Sequence, residues 1–153
     1  ATDQEIIDGL KAASIESGRM TPVHLGKTLL IDDTYNANPQ AVRAAIDWLA
    51  TRPGIRVLTM GGLSELGDSA ESEMKALGAY AKSKGIDRLI ATGSGGPFAD
   101  GYGEAAEYFA TLDEVSESLI ESALDADVIL VKGSRSAQMD RVVNALKRQR
   151  GVR

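Results

Sequence analysis

The chain of 153 residues contains no cysteine, which excludes both a disulfide framework and a thiolate metal site. It has a single histidine, His24, and one imidazole cannot build a metal site on its own. No apolar run approaches the roughly 18 residues needed to span a bilayer. No Lys/Arg-rich run stands out before the short C-terminal tail, and the net charge is −5. Both points argue against a face for nucleic acid. The opening "ATDQEIIDGL" is acidic and polar, unlike a signal peptide. The expectation is a cytoplasmic, globular protein or a piece of one. Its 43% apolar residues suffice for a single core.

Apolar spacing along the chain alternates between two periods. "DQEIIDGLKAAS" has helical spacing. "TLLIDD" is a short apolar run ending in carboxylates and reads as a buried strand. A helix follows, with Asn38 as its cap, Pro39 in its first turn and Val42, Ala45, Ile46 and Leu49 as its inner stripe. "RVLTMGG" is a second strand. Asp68 is placed to cap the next helix, with Glu71 in its first turn and Met74, Leu77 and Ala81 buried. "RLIATGSGG" is a third strand running into glycines, and "YFAT" a short fourth. Thr111 and Glu114 have capping-box spacing and open a helix to about residue 123. "VILVKGS" is the last strand, and Met139, Val142, Val143 and Leu146 line the last helix. Trp48 reads as packing, and His24 falls in an expected turn.

Strand and helix alternation implies an α/β domain with a Rossmann-like, doubly wound, mostly parallel sheet. Ligands of such sheets bind beyond the carboxyl ends of the strands. Asp32-Asp33, Gly61-Gly62, Gly93 to Gly96 and Lys132 to Arg135 all fall at those ends. Four separate stretches therefore converge on one edge.

Two phosphate-enzyme signals lie within "HLGKTLLIDDTYNANP". Gly26-Lys27-Thr28 has the letters of a P-loop tail, but Thr21 stands where the first glycine belongs and a strand follows the lysine. It reads as a β-turn. The glycines from Gly93 to Gly96 lack dinucleotide-fingerprint spacing and read as a flexible crossover. The polar run Asp32, Asp33, Tyr35, Asn36 and Asn38 is different. A carboxylate at a strand end can accept both hydroxyls of a ribose, and the turn after it can line a base. Taken alone, the same run also fits a polar turn with a helix cap.

Gly18-Arg19-Met20, "LLIDDTYNANP", "MGGLSELG" and "LVKGSRS" follow one another in that order. Together they resemble the C-terminal domain of the Mur ligases, from about Asp8 to Leu146. The pairing of "DDTYNANP" with "KGSRS" is similar to the branch that adds D-Ala-D-Ala to UDP-MurNAc-tripeptide in peptidoglycan synthesis. The resemblance implies that residues 1 to 18 are the tail of a central ATPase domain and residues 19 to 153 the third domain. It implies an ATP-dependent ligase acting through an acyl phosphate, inactive as this domain alone. Mg²⁺ and the true P-loop would belong to the central domain, UDP-MurNAc-tripeptide to the other domains, and the protein would be a monomer.

Site residues follow from the same resemblance. Arg19, Asp33, Asp32, Tyr35, Asn36 and Asn38 would contact ATP, with Asp33 favoured for the ribose. Lys132, Ser134 and Arg135 would anchor D-Ala-D-Ala, Arg135 taking its carboxylate, although Ser134 also suits a cap on the last helix. Glu65 would face the incoming amine, to hold it or to take its proton. Where Gly61-Gly62 stands, the family commonly has Gly-Asp, so a role tied to that acid is not transferred. A stand-alone nucleotide-binding or regulatory module without catalysis is the alternative reading.

Overall fold

The computed structural model describes residues 18–64, 66–122 and 125–151. The helix expected before Ser14 and the site candidate Glu65 lie outside the described residues. Strands β1 (Thr21–Leu25) and β2 (Thr28–Asp33) form an antiparallel hairpin. Gly26 sits at its turn with φ +62°, a left-handed conformation that costs a glycine little. The Gly-Lys-Thr triplet is therefore a hairpin turn, as its surroundings require. His24 pairs with Leu29 inside β1 instead of lying in a turn. The sequence reading missed β1 because Pro22 and His24 break its apolar pattern.

Helix α1 (Pro39–Ala50) follows β2, then β3 (Arg56–Met60), α2 (Ala70–Ser83) and β4 (Arg88–Thr92). Helix α3 (Gly96–Tyr102), β5 (Glu107–Phe109), α4 (Leu112–Ser122), β6 (Val128–Lys132) and α5 (Asp140–Gln149) complete the chain. The six strands lie in the order β1-β2-β6-β3-β4-β5. All neighbours are parallel except β1 with β2. The last strand thus inserts between β2 and β3.

The strands alternate cleanly between two cores. Leu29, Ile31, Leu58, Met60, Leu89 and Leu130 face α1, α2 and α3. Leu30, Val57, Ile90, Ile129 and Val131 face α4 and α5. A period of two sends consecutive side chains to opposite sides of the sheet. The stripes read for α1, α2 and α5 are buried, including Val42, Ile46 and Leu49 in α1 and Val142, Val143 and Leu146 in α5.

Helix ends show which local signals were used. The Asn38 side chain accepts a hydrogen bond from the Ala41 amide at 2.9 Å, as an N-cap does. Thr111 and Glu114 form both bonds of a capping box, at 3.2 and 3.1 Å. Asp68 does not cap α2. A 3₁₀ turn over Gly67–Ser69 precedes the helix, Asp68 lies within it, and Ser69 stands at the N-cap without a side-chain bond. The Gly93–Gly96 stretch is not a loose crossover either. Gly93–Gly95 form a 3₁₀ turn leading directly into α3.

Helices α2 and α3 cross closely at two glycines. A Cβ on Gly78 would lie 2.0 Å from the Phe98 carbonyl oxygen, and one on Gly101 would lie 1.9 Å from that of Lys75. Strands β3 and β4 are tied at their amino ends, where Asp87 accepts from the Arg56 amide at 2.9 Å and its Nε at 3.1 Å. Partial burial pushes the Asp87 carboxyl up, but these bonds and the guanidinium charge outweigh it and hold it below the ordinary 3.8.

Two outcomes follow from this packing. Gly78→Ala should destabilise by about 1–3 kcal/mol despite alanine's better helix propensity, because the obstructing atom is backbone. Urea unfolding with an unchanged slope and a lower midpoint would show it, and a higher midpoint would contradict it. Asp87→Asn tests the second. A depressed carboxyl contributes stability above the ordinary 3.8 that is lost as pH falls through its lower folded value. The deficit of the variant, under about 1 kcal/mol at pH 7 for a half-exposed pair, should shrink in melts near pH 3. A deficit that is constant with pH would refute the assignment.

Candidate functional site

The carboxyl ends of β2 and β6 are in register, with Asp33 opposite Lys132. Period-two alternation places both side chains on the α1 side of the sheet and sends Asp32 to the α5 side. The adjacent aspartates therefore serve different places. Asp32 Oδ1 accepts from the Thr34 hydroxyl at 2.6 Å and the Thr34 amide at 3.3 Å, closing a local turn. Asp33 instead accepts from Lys132 Nζ at 2.7 Å through Oδ2 and from the Met20 amide at 3.2 Å through Oδ1.

Lys132 is 2% exposed and Asp33 8%. An ion pair so buried exists only because each charge satisfies the other. Lys132 Nζ also donates to the Asn36 carbonyl at 3.2 Å. The ammonium thus links the end of β2 to the turn beyond it. Asn36 in its turn uses its side-chain oxygen to accept from the Ala37 amide at 2.8 Å.

On the α1 side these groups line a cleft of about 580 Å³. Its walls carry Arg19, Met20, Asp33, Tyr35, Asn36, Asn38 and Lys132, with Ala41, Ala44 and Ala45 of α1 forming an apolar side. A buried carboxylate at the cleft wall, beside small apolar residues and a tyrosine, suits a flat heterocycle carrying a sugar. On the α5 side lies a second cleft of about 430 Å³, which Asp32, Tyr35, Arg135, Gln138, Asp140 and Lys147 help to line. It holds both signs of charge and little apolar surface.

Tyr35 belongs to both clefts. The Arg19 guanidinium lies 4.1 Å from its ring centre and that of Arg135 lies 4.8 Å away. Guanidinium groups at such distances stack favourably on a tyrosine face. The ring is thus a shared wall with a cation on each cleft. Met20 and Gln138, the non-glycine residues with positive φ among those described (47° and 55°), flank the same region. Such conformations concentrate where a site needs them.

The glycine loops meet here as expected, but for packing. The Gly61 amide donates to the Lys132 carbonyl at 2.9 Å, and the Ser134 amide donates to the Gly62 carbonyl at 3.0 Å. A Cβ on Gly95 would come 2.9 Å from the Gly61 carbonyl carbon, and one on Gly62 would come 1.9 Å from Ser94 Oγ. Ser94 thus fills the space that a larger residue at position 62 would need. None of these glycines lines either cleft. Ser134 is buried, and its hydroxyl pairs with that of Ser136 at 3.0 Å. It does not cap α5, which starts at Asp140. Among the described residues, no three His, Asp or Glu side chains cluster as metal ligands would.

The sequence reading grouped Arg19, Asp32, Asp33, Tyr35, Asn36 and Asn38, and all of these but Asp32 line the cleft beside α1, since parity sends Asp32 to the other cleft. It expected "KGSRS" at the same sheet edge, where Arg135 lies beside Tyr35. It did not join Lys132 to Asp33, since it counted the lysine with Ser134 and Arg135. It also missed Gln138, Asp140 and Lys147. The parity signal was available: Asp33 and Lys132 each end a strand whose alternate residues face α1.

A family model for the Mur ligase, glutamate ligase domain, matches residues 18–135. The UDP-N-acetylmuramoyl-tripeptide–D-alanyl-D-alanine ligase of Escherichia coli is 39% identical over 150 residues, covering 96% of this chain and 33% of that protein. A solved structure of MurF from Acinetobacter baumannii superposes with a TM-score of 0.81 at 32% identity, covering 97% of this chain and 34% of that one. A MurF ligase structure from Thermotoga maritima, in complex with ADP, shares the fold with a TM-score of 0.79 at 22% identity, over 90% of this chain and 32% of that one. The chain spans about one third of the length of the curated relatives it matches.

Proposed function

Because the chain belongs to the Mur ligase family, we propose that it is the C-terminal domain of an ATP-dependent ligase that adds D-Ala-D-Ala to UDP-MurNAc-tripeptide. The carrying observation is the meeting of "DDTYNANP" and "KGSRS" at adjacent strand ends, where Asp33 and Lys132 face each other at 2.7 Å. On this reading the cleft beside α1 takes the nucleoside of ATP. Asp33 accepts from the ribose hydroxyls, Tyr35 and Asn36 lie along the base, and Ala41, Ala44 and Ala45 give it an apolar surface. Arg19 stands at the cleft wall, where its guanidinium donates to a phosphate or ribose oxygen. Asn38 contributes chiefly as the cap that fixes the start of α1.

The second cleft suits a dipeptide zwitterion. Arg135 offers two parallel donors to the carboxylate, and Ser134 fixes the backbone that presents it. Asp32 and Asp140 are the carboxylates of this cleft for an ammonium, and the family resemblance gives the same role to Glu65. Mg²⁺, the P-loop and the tripeptide would be held by the remainder of the ligase, and Mg²⁺ would supply charge neutralisation during phosphoryl transfer. The chemistry then needs three things from this chain: a positioned nucleoside, an amine held in line with the acyl phosphate, and exclusion of water. A domain that closes as one body meets the last need. Cytoplasmic location and a monomeric state belong to the same reading.

The test is kinetic, in the full-length ligase. Asp33→Asn should raise the KM for ATP about tenfold or more, the scale of hydrogen bonds to a charged group. Asp32→Asn should change it far less. Arg135→Ala should raise the KM for D-Ala-D-Ala. Equal effects of the two aspartates on ATP, or an Arg135 variant with an unchanged dipeptide KM, would sink the reading. The chain by itself should show no ATP turnover.

A further inference from the structure

We propose that Lys132 is a positioning residue of the nucleotide cleft, acting through Asp33, and that it makes no contact with the dipeptide. The inference rests on the nucleotide reading of that cleft. Four observations point to it. Lys132 Nζ bonds Asp33 Oδ2 at 2.7 Å and the Asn36 carbonyl at 3.2 Å, both on the nucleotide side. Its side chain lines the cleft beside α1 and is absent from the lining of the cleft that holds Arg135. Strand parity fixes this choice, because Lys132 follows Val131, which faces α5, and must point the other way. Its side chain is 3% exposed and that of Asp33 is 11%, so neither can leave the pair for a distant ligand without stranding a buried charge.

The physical role is orientation. A carboxylate that accepts two ribose hydroxyls must present its oxygens in a fixed plane. Asp33 Oδ1 is held by the Met20 amide and Oδ2 by the lysine. Each oxygen keeps a further lone pair for a hydroxyl. Lys132 also fixes the Asn36 carbonyl, so one ammonium sets the distance between the sugar-binding group and the turn that lines the base. It is thereby a determinant of selectivity for a ribonucleotide, although it need not touch the nucleotide.

The experiment uses the full-length ligase with Lys132→Met, Asp33→Asn and the double variant, each checked for folding by its melting curve. KM is measured for ATP, for 3′-deoxy-ATP and for D-Ala-D-Ala. Lys132→Met should raise the KM for ATP about tenfold or more. It should also reduce the preference for ATP over 3′-deoxy-ATP to the level of Asp33→Asn, with the dipeptide KM within about twofold of the parent. Loss of folding alone would not change that preference ratio. Should Lys132→Met fold poorly, the double variant leaves no unpaired charge, and its ATP KM should match that of Asp33→Asn within about threefold. A rise in the dipeptide KM with an unchanged ATP preference would overturn the inference. The nucleotide reading itself fails only if Asp33→Asn leaves the ATP KM and that preference intact.

Discussion

The ion pair between Asp33 and Lys132 is the constraint around which the site end of the sheet is organised. It joins two strands 99 residues apart in sequence and lies almost wholly out of water. Removing one partner of such a pair costs about 3–5 kcal/mol, since it leaves a charge with no counterion. The pair can form only if β6 inserts beside β2 in one register, with Asp33 opposite Lys132. Once that register is set, the Ser134 amide reaches Gly62, the Gly61 amide reaches the Lys132 carbonyl, and Arg135 arrives beside Tyr35. Local hydrogen bonds and long-range topology therefore support the same arrangement.

Around that pair the domain separates rigid parts from presented ones. Gly61 and Gly62 after β3, Gly95 after β4 and Gly133 pack against side chain or backbone, with no room for a methyl. They form a floor. Arg19, Asn36, Asn38 and Arg135 are exposed above it. A ligand site needs this division, because the fixed part sets geometry and the exposed part is left for what binds. At the far end of the strands the ties are different. Asp87 with Arg56, and Arg88 with Glu107, Ser118 and Ser122, clamp β3, β4, β5 and α4 together well away from the clefts.

Much of this was legible in the sequence. Helical stripes such as Val42, Ile46 and Leu49 have a strong period and long elements, and the capping box at Thr111 and Glu114 is a local signal that needs no tertiary context. The failures share a cause. β1 carries Pro22 and His24 because one edge strand can tolerate them. The turn into α3 carries Gly95 because close packing against Met60 and Gly61 leaves no room for a side chain, and propensity alone reads that glycine run as loop. In the site, Arg19, Asp33 and Tyr35 were found through motif order. The partner of Lys132 was not, because a motif groups residues by sequence neighbourhood whereas a sheet groups them by parity.

The alternation of Asp32 and Asp33 between two clefts has a consequence for how this domain can change over generations. A single-residue insertion or deletion within β2 or β6 would exchange the faces of every residue beyond it, handing Asp33's place to its neighbour and turning the lysine away from its carboxylate. Point substitutions at these strand ends can be graded in effect, but length changes there are all-or-none. The Gly26-Lys27 turn lies upstream of the strand, where a longer loop leaves the parity of β2 untouched. Natural length variation in this domain should therefore accumulate at that turn and in other strand-connecting loops, while the spacing from Leu29 to Asp33 and from Val128 to Lys132 stays fixed.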